Sequence, residues 1–289
     1  MTTDEVMEVK NLAREKRADF GIAPIGTRIF TYLANKEKGL HFECQPFDNA
    51  DLDAFIIWPD SHIETAYIVL NSNQSLLNQI FATAHEYYHY LKDFQKLKEF
   101  PQICSLSQVH DKRDQKANRF AAEFLLPAEA LKIEVARLLT LLGKDSIKKA
   151  ELVEFAAIVY TLTIQYALPL KAVLYRLYEE GYINDINLYI ENYAFIKKIL
   201  TESSLHYNKQ FSELLGCENH YIDEPIYDLM TTAYEHGFVS LDQLENDIRL
   251  LGLNSEFLNS FVIADDEFEE LDIADSLKNR LRDKLKFED

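Results

Sequence analysis

Cysteine is nearly absent. Cys44, Cys104 and Cys217 are an odd, widely scattered set in 289 residues. They exclude a disulfide framework and lack the close spacing of a cysteine zinc site, so they read as free thiols in a reducing cytosol. A long apolar run is missing too. The uncharged stretch Phe155 to Leu170 is interrupted by Thr and Gln and falls short of the ~20 apolar residues that span a bilayer. The opening Met1-Thr2-Thr3-Asp4-Glu5 is acidic, with no apolar segment of the kind a secretory signal needs. These absences point to a cytoplasmic chain with no membrane partner. Clustered Lys and Arg are lacking as well, and the net charge is −18. A protein that neutralises several phosphates needs a basic face, so direct nucleic-acid binding is not expected. A negative surface is instead suited to a basic protein partner. The 47% hydrophobic and 27% charged content is that of a soluble globular protein, and the length allows two domains. No internal repeat or low-complexity linker interrupts it.

Against that background one pattern stands out: His85-Glu86-Tyr87-Tyr88-His89. Residues i and i+4 project from one face of a helix, so two imidazoles at this spacing converge on one metal ion. Glu86 then lies beside the open coordination position, where a carboxylate takes a proton from bound water. With 8 histidines in the chain, a chance H-E-x-x-H has a probability of roughly 2 per cent, so its flanks must decide. Leu76, Leu77, Ile80, Phe81, Ala84, Tyr88 and Leu91 keep an i, i+3/i+4 apolar rhythm behind Ser75. The motif is therefore expected on a helix from Leu76 to Phe94.

A hydrolytic zinc site takes a third protein ligand and leaves a fourth position for water. Asp114 is the best candidate. It opens a second helical stretch that runs to Pro127, after a loop through Pro101 that reverses the chain. Ala117, Phe120, Ala121, Phe124 and Leu125 are expected to pack toward the first helix, and Asp114 lies one turn before Ala117 on that face. Its alternative role is a carboxylate that favours the helix N-terminus, which Asp111 fills better. Glu123 is the rival carboxylate and His110 a rival of another type. For the oxyanion donor, His110, Tyr87 and Tyr67 stay open.

Together the two stretches resemble the ImmA/IrrE family of metallopeptidases. The family pattern joins an H-E-x-x-H helix to a helix of the type acidic-x-x-A-N-x-F-A-A-x-L-L-x-P. This chain reads Phe81 to His89, then Asp114 through Pro127. The preceding Tyr67-Ile68-Val69-Leu70-Asn71 is similar to the family's strand ending in Asn. The resemblance spans about residues 5 to 183 and is strongest over 67 to 127. It implies that His85, His89 and Asp114 bind zinc, or another divalent metal such as Mn2+, and that Glu86 is the base. It also implies a protein substrate, a helix-turn-helix transcriptional repressor whose cleavage releases stress-response or mobile-element genes. Two departures matter. Asp114 replaces the usual Glu and is one methylene shorter. Tyr88 replaces a small residue and either changes packing beneath the metal helix or narrows the cleft. Both leave room for a non-catalytic regulatory binding protein, or a toxin–antitoxin or phage-module component, on a peptidase fold.

The expected fold class is α+β: a mostly helical zincin-like peptidase core with a small antiparallel sheet over residues 1–140, a helix-turn-helix-like segment over 141–183, and a helical C-terminal region over 184–289. The first helix should run from Glu5 to Phe20, capped by Thr3 or Asp4, and a second from Thr27 to Leu33. Leu40–Cys44 reads as a strand. Ala54–Trp58 and Thr65–Leu70 read as a hairpin around Pro59-Asp60-Ser61-His62, with Tyr67–Asn71 as an edge that receives substrate as an added strand. Glu151–Gln165 and Leu170–Glu180 form the helix-turn-helix-like pair, with Lys171, Arg176, Glu179 and Glu180 outward, a set that suits docking better than DNA reading. Further helices are expected over Tyr193–Leu200, Pro225–His236, Leu241–Leu251 and Ile273–Phe287, with an acidic run at Asp265–Glu270.

Overall fold

The computed structural model describes residues 1–191 apart from 50, 59–64, 94–101 and 105–111, and beyond that 194, 198, 214–216, 230 and 232–250. Helix α1, Thr3–Lys16, starts earlier than the pattern indicates because Thr2 is the cap. Its side chain accepts from Glu5 N–H while Glu5 reaches back to Thr2 N–H, a reciprocal capping box. A 3-10 turn, Gly26–Arg28, leads into α2, Ile29–Lys36. Strand β1 is Leu40–Gln45, β2 is Ala54–Ile57 and β3 is Ala66–Asn71. Helix α3 is Leu76–Lys92, capped by Ser75, whose hydroxyl accepts from Asn78 N–H. Strand β4 is the short Gln102–Cys104. Helix α4, Lys112–Leu125, and α5, Ala128–Leu141, meet at Pro127. Helix α6, Leu152–Tyr166, and α7, Leu170–Glu179, follow, then α8, Ile186–Glu191, and α9, Leu241–Leu250. Most of the elements expected past residue 191 lie outside the described residues, Ile273–Phe287 and Asp265–Glu270 among them; the Leu241 helix is present.

The fold is α+β, with a four-stranded sheet ordered β1-β3-β2-β4. Two expectations need correction. The sheet is mixed, because β1 runs parallel to β3, Leu40 opposite Ala66 through Gln45 opposite Asn71. The antiparallel β2–β3 neighbours are as expected, with Ala54 opposite Leu70. Strand β3 is also not an edge: β1 takes one side of it and β2 the other, so Tyr67–Asn71 has no free ladder to offer a substrate strand. The physical reason is its sequence. Five of its six residues are buried, which suits an interior strand better than a half-wet edge.

Ala66, Ile68 and Leu70 turn one face of β3 into the core, and α3 lies against β2 and β3. The other side of α3 meets α4 through an aromatic seam. Phe120 stands 6.0 Å from Tyr87 and 5.5 Å from Tyr88, and Phe124 stands 5.8 Å from Tyr87. Ala117, Phe120, Ala121, Phe124 and Leu125 are all fully buried. Such ring pairs each add about 0.5–1.5 kcal/mol beyond simple burial, so the seam fixes the register of α4 on α3. Tyr88 belongs to it. At 5% exposure its bulk is spent beneath the metal helix, on packing, rather than on narrowing a cleft.

Asn71 ties the approach to α3 together. Its Nδ2 donates to Leu52 O at 2.7 Å, and its Oδ1 accepts from Phe47 N–H and Asn73 N–H at 3.1 and 3.0 Å. Three chain segments thus hang on one buried amide. Helices α6 and α7 meet at 108° through Ala167, which adopts a left-handed φ of 49°. Both contribute to the same hydrophobic core as the sheet.

Candidate metal centre

Two helices supply the polar groups, and each does so with i, i+4 pairs. On α3, His85 and His89 face the same way, and Asp93 follows one turn later. On α4, Asp114 is followed one turn later by Asn118. The aromatic seam brings the two rows opposite one another. His85, His89 and Asp114 offer ligand atoms all within 4.8 Å of one another. The two imidazole Nε2 atoms stand 3.1 Å apart, and His89 Nε2 lies 3.6 Å from Asp114 Oδ1. Two nitrogens bound ~2.0–2.1 Å from one tetrahedral zinc stand roughly 3.4 Å apart, so these separations suit a shared ion.

The outer nitrogens decide the tautomers. His85 Nδ1–H donates to Asn118 Oδ1 at 2.8 Å, and His89 Nδ1–H to Asp93 Oδ2 at 2.7 Å. With both Nδ1 positions engaged by acceptors, both Nε2 lone pairs converge on one point. Lone pairs at 3.1 Å repel unless a cation lies between them. Burial, together with the neighbouring His89, pulls the His85 pKa down to about 3, keeping it neutral. Burial also pushes His89 down, but the Asp93 hydrogen bond and the charges of Glu86, Asp93 and Asp114 outweigh it and raise His89. The donor set therefore fits a dication: two neutral imidazoles presented by Nε2 and one carboxylate, with anionic groups behind. His85, Glu86 and His89 are 1–2% exposed, whereas the Asp114 side chain is 23% exposed, so the site opens on the α4 side.

The rivals are placed elsewhere. Glu123 lies nine residues along α4 from Asp114, about 13.5 Å at 1.5 Å per residue. It is occupied by Arg176 Nη2 at 2.8 Å and by Ala128 N–H at 3.0 Å. Tyr87 donates to Glu37 Oε1 at 2.5 Å on the far side of α3. Tyr67 stacks near His41, ring centroids 5.2 Å apart, and alternates with the core-facing Ile68. His110 and Asp111 lie outside the described residues. Arg176, expected outward, is fully buried. The groups α7 exposes are Lys171, Tyr175, Tyr178 and Glu179, one cation among them.

The residues that orient the histidines, Asn118 and Asp93, were not identified from sequence. Asp93 had a readable signal, four residues past His89 on the same helix. Asn118 reaches His85 across two helices, and only the packing register reveals it.

A histidine pair on one buried helix, closed by a carboxylate from a second, is the arrangement of a metallopeptidase. Residues 35–178 match the family model for the IrrE N-terminal-like domain, Peptidase_M78, and through that domain the chain belongs to the ImmA/IrrE-type metallopeptidases. The match takes in α3, α4 and the residues between them and continues through α6 into α7. No curated protein matches the chain. Among the described residues, no single helix is long and apolar enough to cross a membrane.

Proposed function

We propose that the chain is a zinc-dependent endopeptidase acting on a cytoplasmic protein, a helix-turn-helix transcriptional repressor. The observation that carries the metal part is the convergence of two Nε2 lone pairs 3.1 Å apart beside Asp114. His85, His89 and Asp114 would hold the ion. When bound, the metal supplies Lewis acidity toward a carbonyl oxygen and acidifies a water. Glu86 follows His85 directly and is buried beside the pair. Its carboxylate takes the proton of the attacking water and passes it to the leaving amide nitrogen. Asn118 and Asp93 hold the two imidazoles in the ligating tautomer. The excess of acidic groups over the whole chain favours a basic partner, and DNA-binding repressors present basic faces.

The test incubates zinc-loaded protein with a helix-turn-helix repressor from the same genome and follows the repressor on a denaturing gel. The wild type should cut it at a defined site, and Glu86→Gln should bind zinc without cutting. Cleavage by Glu86→Gln removes Glu86 from the mechanism. A zinc-loaded wild type that leaves such repressors whole removes the substrate assignment.

A further inference from the structure

We infer that Asp93 is a positioning residue for the metal centre, and that it makes His89 the stronger of two unequal histidine ligands. The inference rests on the metallopeptidase reading of His85, His89 and Asp114.

Asp93 sits where a carboxylate is disfavoured. It is the C-cap of α3, its N–H donating to His89 O, at the negative end of the helix dipole. It is also 6% exposed, so its charge is desolvated. Among the described residues, His89 Nδ1 at 2.7 Å is its hydrogen-bonding partner. Placement against both the dipole and solvation needs a compensating interaction, and the imidazole supplies it. The cap position folds the side chain back over the last turn, where i, i+4 spacing brings it to the outer nitrogen of His89.

His85 is treated differently. Its outer nitrogen meets Asn118, a neutral amide, at 2.8 Å. Both contacts select the same tautomer, but only the carboxylate transfers negative charge to its ring. A histidine backed by a carboxylate is the more basic ligand, and loss of such a backing group weakens metal binding 10- to 100-fold in general. The centre is thus asymmetric by construction: charge behind His89, a dipole behind His85. Asp114 is the shorter acidic side chain, and Asp93 adds negative charge close behind the ligand set without occupying a coordination position.

The experiment measures zinc affinity by chelator competition on the full chain, for wild type, Asp93→Asn, Asp93→Ala and Asn118→Ala, with folding checked by circular dichroism. Asp93→Ala should weaken zinc binding 10- to 100-fold. Asp93→Asn keeps an acceptor but not the charge, and should fall between Asp93→Ala and wild type. Asn118→Ala should cost less than Asp93→Ala. In the zinc-loaded wild type, proton NMR should show a far-downfield His89 Nδ1–H signal that moves upfield in Asp93→Asn. A purely structural pair would not produce this gradation or this shift. Should Asp93→Ala fail to fold, Asp93→Asn decides alone. Unchanged zinc affinity and an unmoved His89 signal in Asp93→Asn would overturn the proposal while leaving the metal site intact. A wild type that binds no zinc would instead overturn the metallopeptidase reading, and this inference with it.

Discussion

Replacing Arg176 by Met tests the electrostatic anchor between α7 and the metal-bearing helix α4. Arg176 is fully buried. Its Nη2 lies 2.8 Å from Glu123, its Nη1 lies 3.2 Å from Glu179 and 3.0 Å from Glu180, and its Nε donates to Leu126 O at 3.1 Å. Glu123 is buried as well, with its side chain 6% exposed. Removing one partner of a buried pair typically costs about 3–5 kcal/mol, because the other charge stays desolvated. Here the low end applies, about 3 kcal/mol, since Arg119 at 3.8 Å and the Ala128 N–H remain beside Glu123. At ~2–4 °C per kcal/mol for a chain above 150 residues, the midpoint should fall by roughly 6–12 °C. The assay is urea and thermal unfolding followed by circular dichroism. The double variant Glu123→Gln with Arg176→Met removes the stranded charge and should recover most of the loss. A single variant that loses less than ~1 kcal/mol, or a double variant no better than the single, would refute the argument.

Three further outcomes are expected. Glu86→Gln should retain zinc within a few-fold and lose about 10²–10⁴-fold in peptide cleavage, measured as kcat on a verified substrate; a variant with full biological effect would mean that hydrolysis is not the function. Ala167→Gly should raise stability by about 1 kcal/mol in urea unfolding, because glycine adopts the left-handed φ of 49° without the Cβ penalty; no gain would mean that this turn stores no strain. Glu5 is held at about 2 by its hydrogen bond to Lys112, by Thr2 N–H and by Lys116. A depressed carboxylate stabilises the fold above its unfolded value and loses that contribution as pH falls toward 2, so replacing Lys112 and Lys116 by Ala should move the Glu5 NMR titration upward toward 4.5.

The sequence carried the metal helix to within two residues of its end and put His85 and His89 on one face of it, because helical period, cap and i, i+4 spacing are all local signals; Asp114, on a second helix, was singled out by the pattern of that helix rather than by any contact. The burial of Ala117, Phe120, Ala121 and Phe124 followed from the same period. Sheet order was less legible. β1 and β3 are parallel neighbours separated in the chain by β2, and no local pattern encodes that pairing. Arg176 pointed inward because it lies one turn beyond Val173 on the buried side of α7, where its charge is neutralised by Glu123 from α4. A charged residue in such a helix gives no hint of a partner more than fifty residues away. Asn118 was hidden for the same reason: its contact with His85 exists only once two helices are packed.

The central claim is that His85, His89 and Asp114 form one metal site. Zinc content per chain, by elemental analysis on wild type and on Asp114→Ala prepared identically, tests it most directly. Wild-type protein should carry close to one zinc per chain, and the variant should lose most of it. A wild type that stays empty when supplied with zinc at neutral pH, or a variant that holds zinc as well as the wild type, would contradict it.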